Sequence, residues 1–259
     1  MGMNPLAKIQ AEYNRGSLFG WQVFAGHRQR VTELLGRGAT PGSRLCVLGA
    51  GNANDLDLAA LMQAYREVHL VDLDADAMAR GAARQGVADN PGLHRHGGID
   101  LTGALDALAA LSPASAVGDD AVAACAEEPV RSLSPALPGP FDVAASTCLL
   151  SQLIAGVVQT VGEGHPRFLD LVQALRLGHL RLLTHLVAPG GLGLLITDIV
   201  SSDSFPALPS VAEEALPGVL AQLVRGRNFF HGLNPAVLGH FAPIPSGTGM
   251  GLIHKSLRG

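Results

Sequence analysis

Five short strand-like runs recur along the chain, and a helix-like stretch separates each from the next. They read "RLCVLG", "EVHLVDLD", a weaker "LHRHGGID", "FDVAAS" and "LGLLITDIV". Strands joined through helices pair in parallel, and a parallel sheet needs cover on both faces. The pattern therefore predicts an α/β, doubly wound, mostly parallel sheet. No apolar run approaches the ~20 residues needed to span a bilayer. The first residues, "MGMNPLAKIQAEYNRG", lack the apolar core of a signal peptide. A soluble, cytoplasmic protein is the expectation, with no membrane partner.

With 259 residues, 47% of them hydrophobic, the chain can bury a core as one domain. Residues 1–40 read as a helical cap, 44–200 as the core and 201–259 as a helical or irregular tail. In the cap, Trp21, Phe24, Val31, Leu34 and Leu35 fall at roughly helical spacing, so 1–38 is expected to be helix. "NDLDLAALMQAY" predicts a helix with Asn54 as N-cap and Asp55 and Asp57 in its first turn. Further helices are expected over "DADAMARGAARQG", "GALDALAAL", "LLSQLIAGVVQ" and the long "HPRFLDLVQALRLGHLRLLTHLV", which Gly190–Gly191 ends. Residues 112–140, rich in Pro and Ala, read as a surface insertion with a short helix around "DDAVAACAEE". In the tail, "SVAEEALPGVLAQLV" and "NPAVLGHF" read as helices and "GLIHKSL" as one short strand.

Charge narrows the partners. The 18 Lys+Arg against 22 Asp+Glu give a net charge of -4, which does not suit nucleic acid or an anionic membrane surface. The balance is uneven: residues 1–44 carry six basic and two acidic residues, a net +4, which leaves -8 for the rest. That basic stretch reads first as the solvated face of a helix. The three cysteines, Cys46, Cys125 and Cys148, show no CxxC or Cys/His ligand spacing, so neither a disulfide framework nor a metal site is expected.

Chemistry concentrates after the first strand. Gly49 and Gly51 sit at its carboxyl end, where open α/β sheets bind ligands. Without Cβ atoms they permit a tight turn and let a ligand rest on the backbone. Asp72 follows 21 residues after Gly51, at the end of the second strand, where a carboxylate can accept hydrogen bonds from both hydroxyls of a ribose. The plainer reading is a turn followed by a helix-capping acid, Asp72 or Asp74. The dinucleotide fingerprint places a third glycine where this chain has Asn54. Asp55 and Asp57 then put negative charge where a pyrophosphate would lie, and like charges ~4 Å apart cost about 4 kcal/mol at an effective dielectric near 20. A cationic or zwitterionic nucleoside fits better than a nicotinamide dinucleotide.

On these segments the chain resembles the class I S-adenosylmethionine-dependent methyltransferases over roughly residues 44–200. "LCVLGAGNAN" is similar to that family's first motif and "VHLVDLD" to its second. "HGGID" stands where the third falls, "FDVAASTCLLSQL" resembles the fourth, and "LVAPGGLGLLITD" the helix–GG–strand that follows. The resemblance implies a Rossmann-like methyltransferase fold with S-adenosylmethionine as cofactor. It implies contacts from Gly49, Ala50, Gly51 and Asn52 of the loop, and places the two glycines under the methionine part. Asp72 and Leu73 would lie at the ribose, Asp100 near the adenine amino group, and Ser146 and Thr147 beside the methyl donor. The chain departs from the pattern at Val47, where the family has an acid, and at Ala53, where it has glycine. A loop carbonyl or Asp55 is left to hold the cofactor's amino group. The family's sheet also finishes with two strands in an antiparallel hairpin, for which "GLIHKSL" is one weak candidate.

Methyl transfer needs alignment above all, and a hydroxyl acceptor would also profit from a general base. His27, His165 and His231 are the candidates, each reading first as an ordinary surface or loop histidine. His179 and His185 lie six residues apart on one helix, which is not metal spacing. Cys148 reads as packing, since the sequence shows no activating partner. Tyr13, Phe19 and Trp21 are placed either to lid a sulfonium or to pack the cap. No Asn-Pro-Pro-aromatic motif follows the fourth strand, which disfavours methylation of DNA base amino groups. The expected function is methyl transfer to a small molecule. The alternatives are a nicotinamide-dependent oxidoreductase and a non-catalytic nucleoside-binding protein.

Overall fold

The computed structural model describes residues 4–202, 204–230, 232–234 and 249–256, the last segment by its backbone. The expected cap helix is two helices, α1 (Pro5–Gly16) and α2 (Ala25–Gly36), with turns over 17–24 between them. Asn4 caps α1, its side chain accepting from the N–H groups of Leu6 and Ala7. The core follows as β1 (Arg44–Leu48), α3 (Leu58–Ala64), β2 (Glu67–Asp72), α4 (Ala75–Arg84) and β3 (Leu93–Gly97). After α5 (Leu105–Ala109) and α6 (Asp119–Glu128) come β4 (Phe141–Thr147), α7 (Leu150–Thr160), α8 (Phe168–Leu186) and β5 (Val187–Val200). The chain continues through α9 (Leu216–Arg225) to β6 (Gly249–Ser256).

The strands order as β3-β2-β1-β4-β5-β6, and every adjacent pair is parallel. Successive residues of a strand face opposite ways, and both faces here are apolar. Leu45 and Val47 of β1 join one core layer with Val31 and Leu35 of α2, Leu61 of α3 and Met78 of α4. Cys46 and Leu48 join the other, with Leu6 of α1, Leu108 of α5, Leu153 of α7 and Leu175 of α8. The sheet is thus a doubly wound α/β layer of Rossmann-like form. Strand order reverses between β1 and β4, which opens a crevice above their carboxyl ends.

The expected tail strand is present as β6, and it extends the sheet in parallel beside β5, without the family's antiparallel finish among the described residues. Two expectations need correction. The stretch 112–140 is more than a surface insertion, because Cys125 and Ala126 of α6 are buried with Val117, Leu133 and Leu137 in the core layer that α8 shares. Gly190–Gly191 does not end α8; the helix stops at Leu186 and both glycines lie within β5. The helix expected over "NPAVLGHF" falls, past Asn234, outside the described residues. No described helix is long and apolar enough to cross a membrane.

Candidate functional site

The first strand ends in a loop spanning residues 49–57, and α3 does not begin until Leu58. Asp57 supplies the cap that was expected of Asn54, its Oδ1 accepting from the Ala60 N–H at 2.9 Å. Asn54 is buried and occupied elsewhere. Its Nδ2 donates to the Ser17 carbonyl at 2.8 Å and its Oδ1 accepts from Arg84 at 2.9 Å. The seven-residue α3 therefore opens several residues downstream of the glycines.

Gly49 (φ +77°) and Gly51 (φ +45°) both adopt backbone that favours glycine. A Cβ on Gly49 would stand 2.7 Å from that of Leu149, and one on Gly51 2.8 Å from Oδ1 of Asn14. The close approach that these glycines permit is therefore made, in part, by the protein's own α1 and by the turn after β4. Between those two neighbours lies a cleft, part of it open to solvent.

Of the residues expected to hold a cofactor, Gly49, Gly51, Asp72, Leu73 and Asp100 line this cleft. Asp72 is positioned by the loop itself. Its Oδ2 accepts from the Gly51 N–H and its Oδ1 from the Asp74 N–H, each at 2.8 Å. Burial pushes its carboxyl above the usual range, and these backbone donors pull the other way. A carboxylate offers about four acceptor sites in all, so Asp72 can still accept from a ligand. Asp100 closes a turn: Oδ1 accepts from the Thr102 N–H (2.8 Å) and hydroxyl (2.6 Å), and Oδ2 from the Leu105 N–H (2.9 Å).

The other five do not line it. Ala50 is buried in the core layer under α3 and α4. Asn52 holds the cap, its Nδ2 donating to the Asn14 carbonyl (2.5 Å) and the Ser17 hydroxyl (3.1 Å). Asp55 stands 3.5 Å from Nε2 of His27. Ser146 is fully buried with its hydroxyl 2.7 Å from Nε2 of His179 on α8, and the Thr147 hydroxyl donates to the Gly49 carbonyl at 3.4 Å. These two strand residues face the protein interior, so the β4 side of the cleft is formed by Leu149, Gln152 and Leu153 instead.

The sequence reading missed the cap's part in this site. Leu6, Gln10 and Asn14 line the cleft from successive turns of α1, and their i, i+4, i+8 spacing was the available signal. Asn14 also donates to Oδ2 of Asp74 at 3.1 Å. The aromatic residues do not lid the cleft. Trp21 is engaged by two guanidiniums, with Arg28 3.4 Å and Arg84 4.8 Å from its ring centroid. Phe19 is 94% exposed, and the Tyr13 hydroxyl accepts from Gln159.

Among the base candidates, His165 accepts the Arg167 N–H at Nδ1, so Nε2 carries the proton and donates to the Ser115 carbonyl at 3.0 Å. It pins a loop and does not line the cleft. His27 lies beside Asp55 and Cys148, which corrects the view that Cys148 has no partner. His231 lies outside the described residues.

Because Asn52 ties α1 to the glycine loop, Asn52→Ala is expected to lower stability by about 1–3 kcal/mol and leave nucleoside affinity nearly unchanged. Denaturant midpoints and calorimetric titration check both halves. Lost affinity with intact stability would return Asn52 to the ligand.

No protein-family model matches the sequence, and no curated protein matches it. The solved structures that it resembles include an rRNA methylase from Streptococcus thermophilus (12% identity, 61% of this chain and 63% of that one, TM-score 0.34). They also include CalS10, an amino pentose methyltransferase from Micromonospora echinaspora with bound SAM (18%, 70% and 51%, TM-score 0.30). A short-chain dehydrogenase/reductase from Brucella melitensis aligns as well (16%, 82% and 73%, TM-score 0.34). The chain spans about half to under two thirds of the length of these two methyltransferases.

Proposed function

We propose that the chain binds S-adenosylmethionine in this cleft and transfers its methyl group to a small molecule. The observation that carries the reading is the charge of the lining: Asp72 and Asp100 face the cleft, and among the described residues no Lys, Arg or His lines it. Such a wall suits a cationic or zwitterionic nucleoside and repels a pyrophosphate. In this assignment Asp72 accepts both ribose hydroxyls and Asp100 stands toward the adenine amino group. Gly49 and Gly51 underlie the amino-acid portion, with Gln10, Asn14 and Gln152 as polar neighbours. Leu101, Leu105 and Leu108 offer an apolar wall for the base. When bound, the cofactor supplies an electrophilic methyl group; the chain's own task is to hold it in line with an acceptor and exclude water. The net charge of -4 opposes polyanions, which supports a small-molecule acceptor.

The strand order favours a second reading. Parallel order 3-2-1-4-5-6 is that of dinucleotide-binding sheets. Those sheets hold a pyrophosphate at the N-terminus of the first crossover helix. Here that helix is seven residues long and starts at Leu58, which does not line the cleft. The carboxylates of the lining support the sulfonium nucleoside over the dinucleotide.

S-adenosylhomocysteine is expected to raise the melting temperature, and NADH is not. At 100 times its dissociation constant a ligand stabilises by about 2.7 kcal/mol, which a thermal shift resolves readily. Stabilisation by NADH alone would overturn the proposal in favour of the dinucleotide.

A further inference from the structure

Cys148 stands at the elbow between β4 and α7 with φ +51°, a backbone conformation that is strained for a non-glycine residue. It packs with the core layer under α2, α3 and α4, while its neighbour Leu149 joins the opposite layer and lines the cleft. The thiol therefore belongs to the other side of the crevice. There Nε2 of His27 lies 3.9 Å from its Sγ and 3.5 Å from Oδ1 of Asp55. Donor atoms of the three residues all fall within 4.8 Å of one another. The side chains of His27 and Asp55 are only 13% and 16% exposed.

These separations are close to those a metal imposes. Bonds to zinc of ~2.3 Å from sulfur and ~2.0–2.1 Å from nitrogen and oxygen, at tetrahedral angles, set S···N near ~3.6 Å and N···O near ~3.3 Å. The observed values exceed these by a few tenths of an ångström. We propose that His27, Asp55 and Cys148 form a binding site for a zinc-type divalent cation, distinct from the nucleoside cleft, with a fourth position open to water or a ligand. On binding, the Cys148 thiol releases its proton to solvent and bonds as thiolate, neutral His27 gives its Nε2 lone pair, and Asp55 bonds as carboxylate. One thiolate and one carboxylate then balance the dication, which suits a half-buried site. A soft thiolate beside an imidazole favours zinc over magnesium or calcium.

A second cluster, Glu67, His69 and His94, has similar spacing and is a poorer host. Its carboxylate already carries Arg44 at 2.8 Å and Arg66 at 3.2 Å, so a dication there would meet two guanidiniums. Nδ1 of His69 is also engaged, 3.0 Å from Nε2 of His96.

Cobalt(II) tests the site, since a thiolate ligand gives it a charge-transfer band in the near ultraviolet. Chelator-treated protein should bind one equivalent, show that band and melt at a higher temperature. Cys148→Ser should abolish the band. His27→Ala and Asp55→Asn should weaken cobalt by on the order of 100-fold or more, at least what loss of an outer partner costs. Circular dichroism of each metal-free variant confirms that it is folded, and the two cysteine-retaining variants decide the matter if Cys148→Ser is not. Three results would overturn the site: no band in the natural protein, a band that survives in Cys148→Ser, or cobalt binding that His27→Ala leaves unchanged. S-adenosylhomocysteine binding is measured separately, so failure here leaves the cleft assignment standing.

Discussion

Asp72→Ala is expected to weaken S-adenosylhomocysteine by about 30- to 1,000-fold, or ~2–4 kcal/mol. Two charge-assisted hydrogen bonds to a ribose account for that loss, discounted for water in a cleft that is part open. Stability should fall as well. The carboxylate accepts from the N–H groups of Gly51 and Asp74, and an alanine leaves both without that partner, at a cost of about 1–3 kcal/mol. An acid at a strand end is thus part of the loop's architecture here. Asp74→Ala supplies the contrast. Asp74 caps α4 through the Ala77 N–H at 2.9 Å and accepts from Asn14, so its loss should cost about 1 kcal/mol of stability with little change in affinity. Calorimetric affinity and melting temperature, measured for both variants, separate the two roles. Natural affinity in Asp72→Ala would remove the ribose assignment.

The strands were legible because a sheet buried on both faces writes itself as continuous apolar runs. Val68, Leu70 and Val71 are all fully buried. The glycine pair and Asp72 were legible because turn and strand-end chemistry is local. Features that depend on remote partners were not. Asn54 has the residue type of an N-cap, yet Ser17 and Arg84 claim its side chain, so the cap passes to Asp57. The cap helix breaks over 17–24, where the Trp21 ring meets the guanidiniums of Arg28 and Arg84, and nothing in the local periodicity announces that. The resemblance placed Ser146 and Thr147 beside the methyl donor at the end of the fourth strand, but a motif does not reveal that both side chains are buried. The contact of Cys148 with His27 joins residues 121 positions apart. No spacing rule reaches that far.

Ser146 leads instead to an acid-sensitive core. Its partner His179 is 1% exposed, and burial pushes the imidazole from 6.5 down to about 4. Its Nε2 meets the Ser146 hydroxyl, while Nδ1 is buried with no hydrogen-bond partner among the described residues. A proton on that ring would be a charge without a counter-ion in an apolar layer. The folded pKa is depressed, so the unfolded chain binds this proton first. The stability it protects is present above pH ~6.5 and is lost as pH falls toward ~4. With one unit worth 1.36 kcal/mol, the loss from His179 alone approaches ~3 kcal/mol across that window. His69, also held down to about 4 by burial, adds its own share, as do carboxylates. His179→Gln isolates the term, because an amide can still meet the Ser146 hydroxyl and does not titrate. Urea unfolding at pH 7 and at pH 5 should show the natural protein losing ~2 kcal/mol more than the variant. Equal losses in the two proteins would mean that His179 is not the buried neutral group that this core requires.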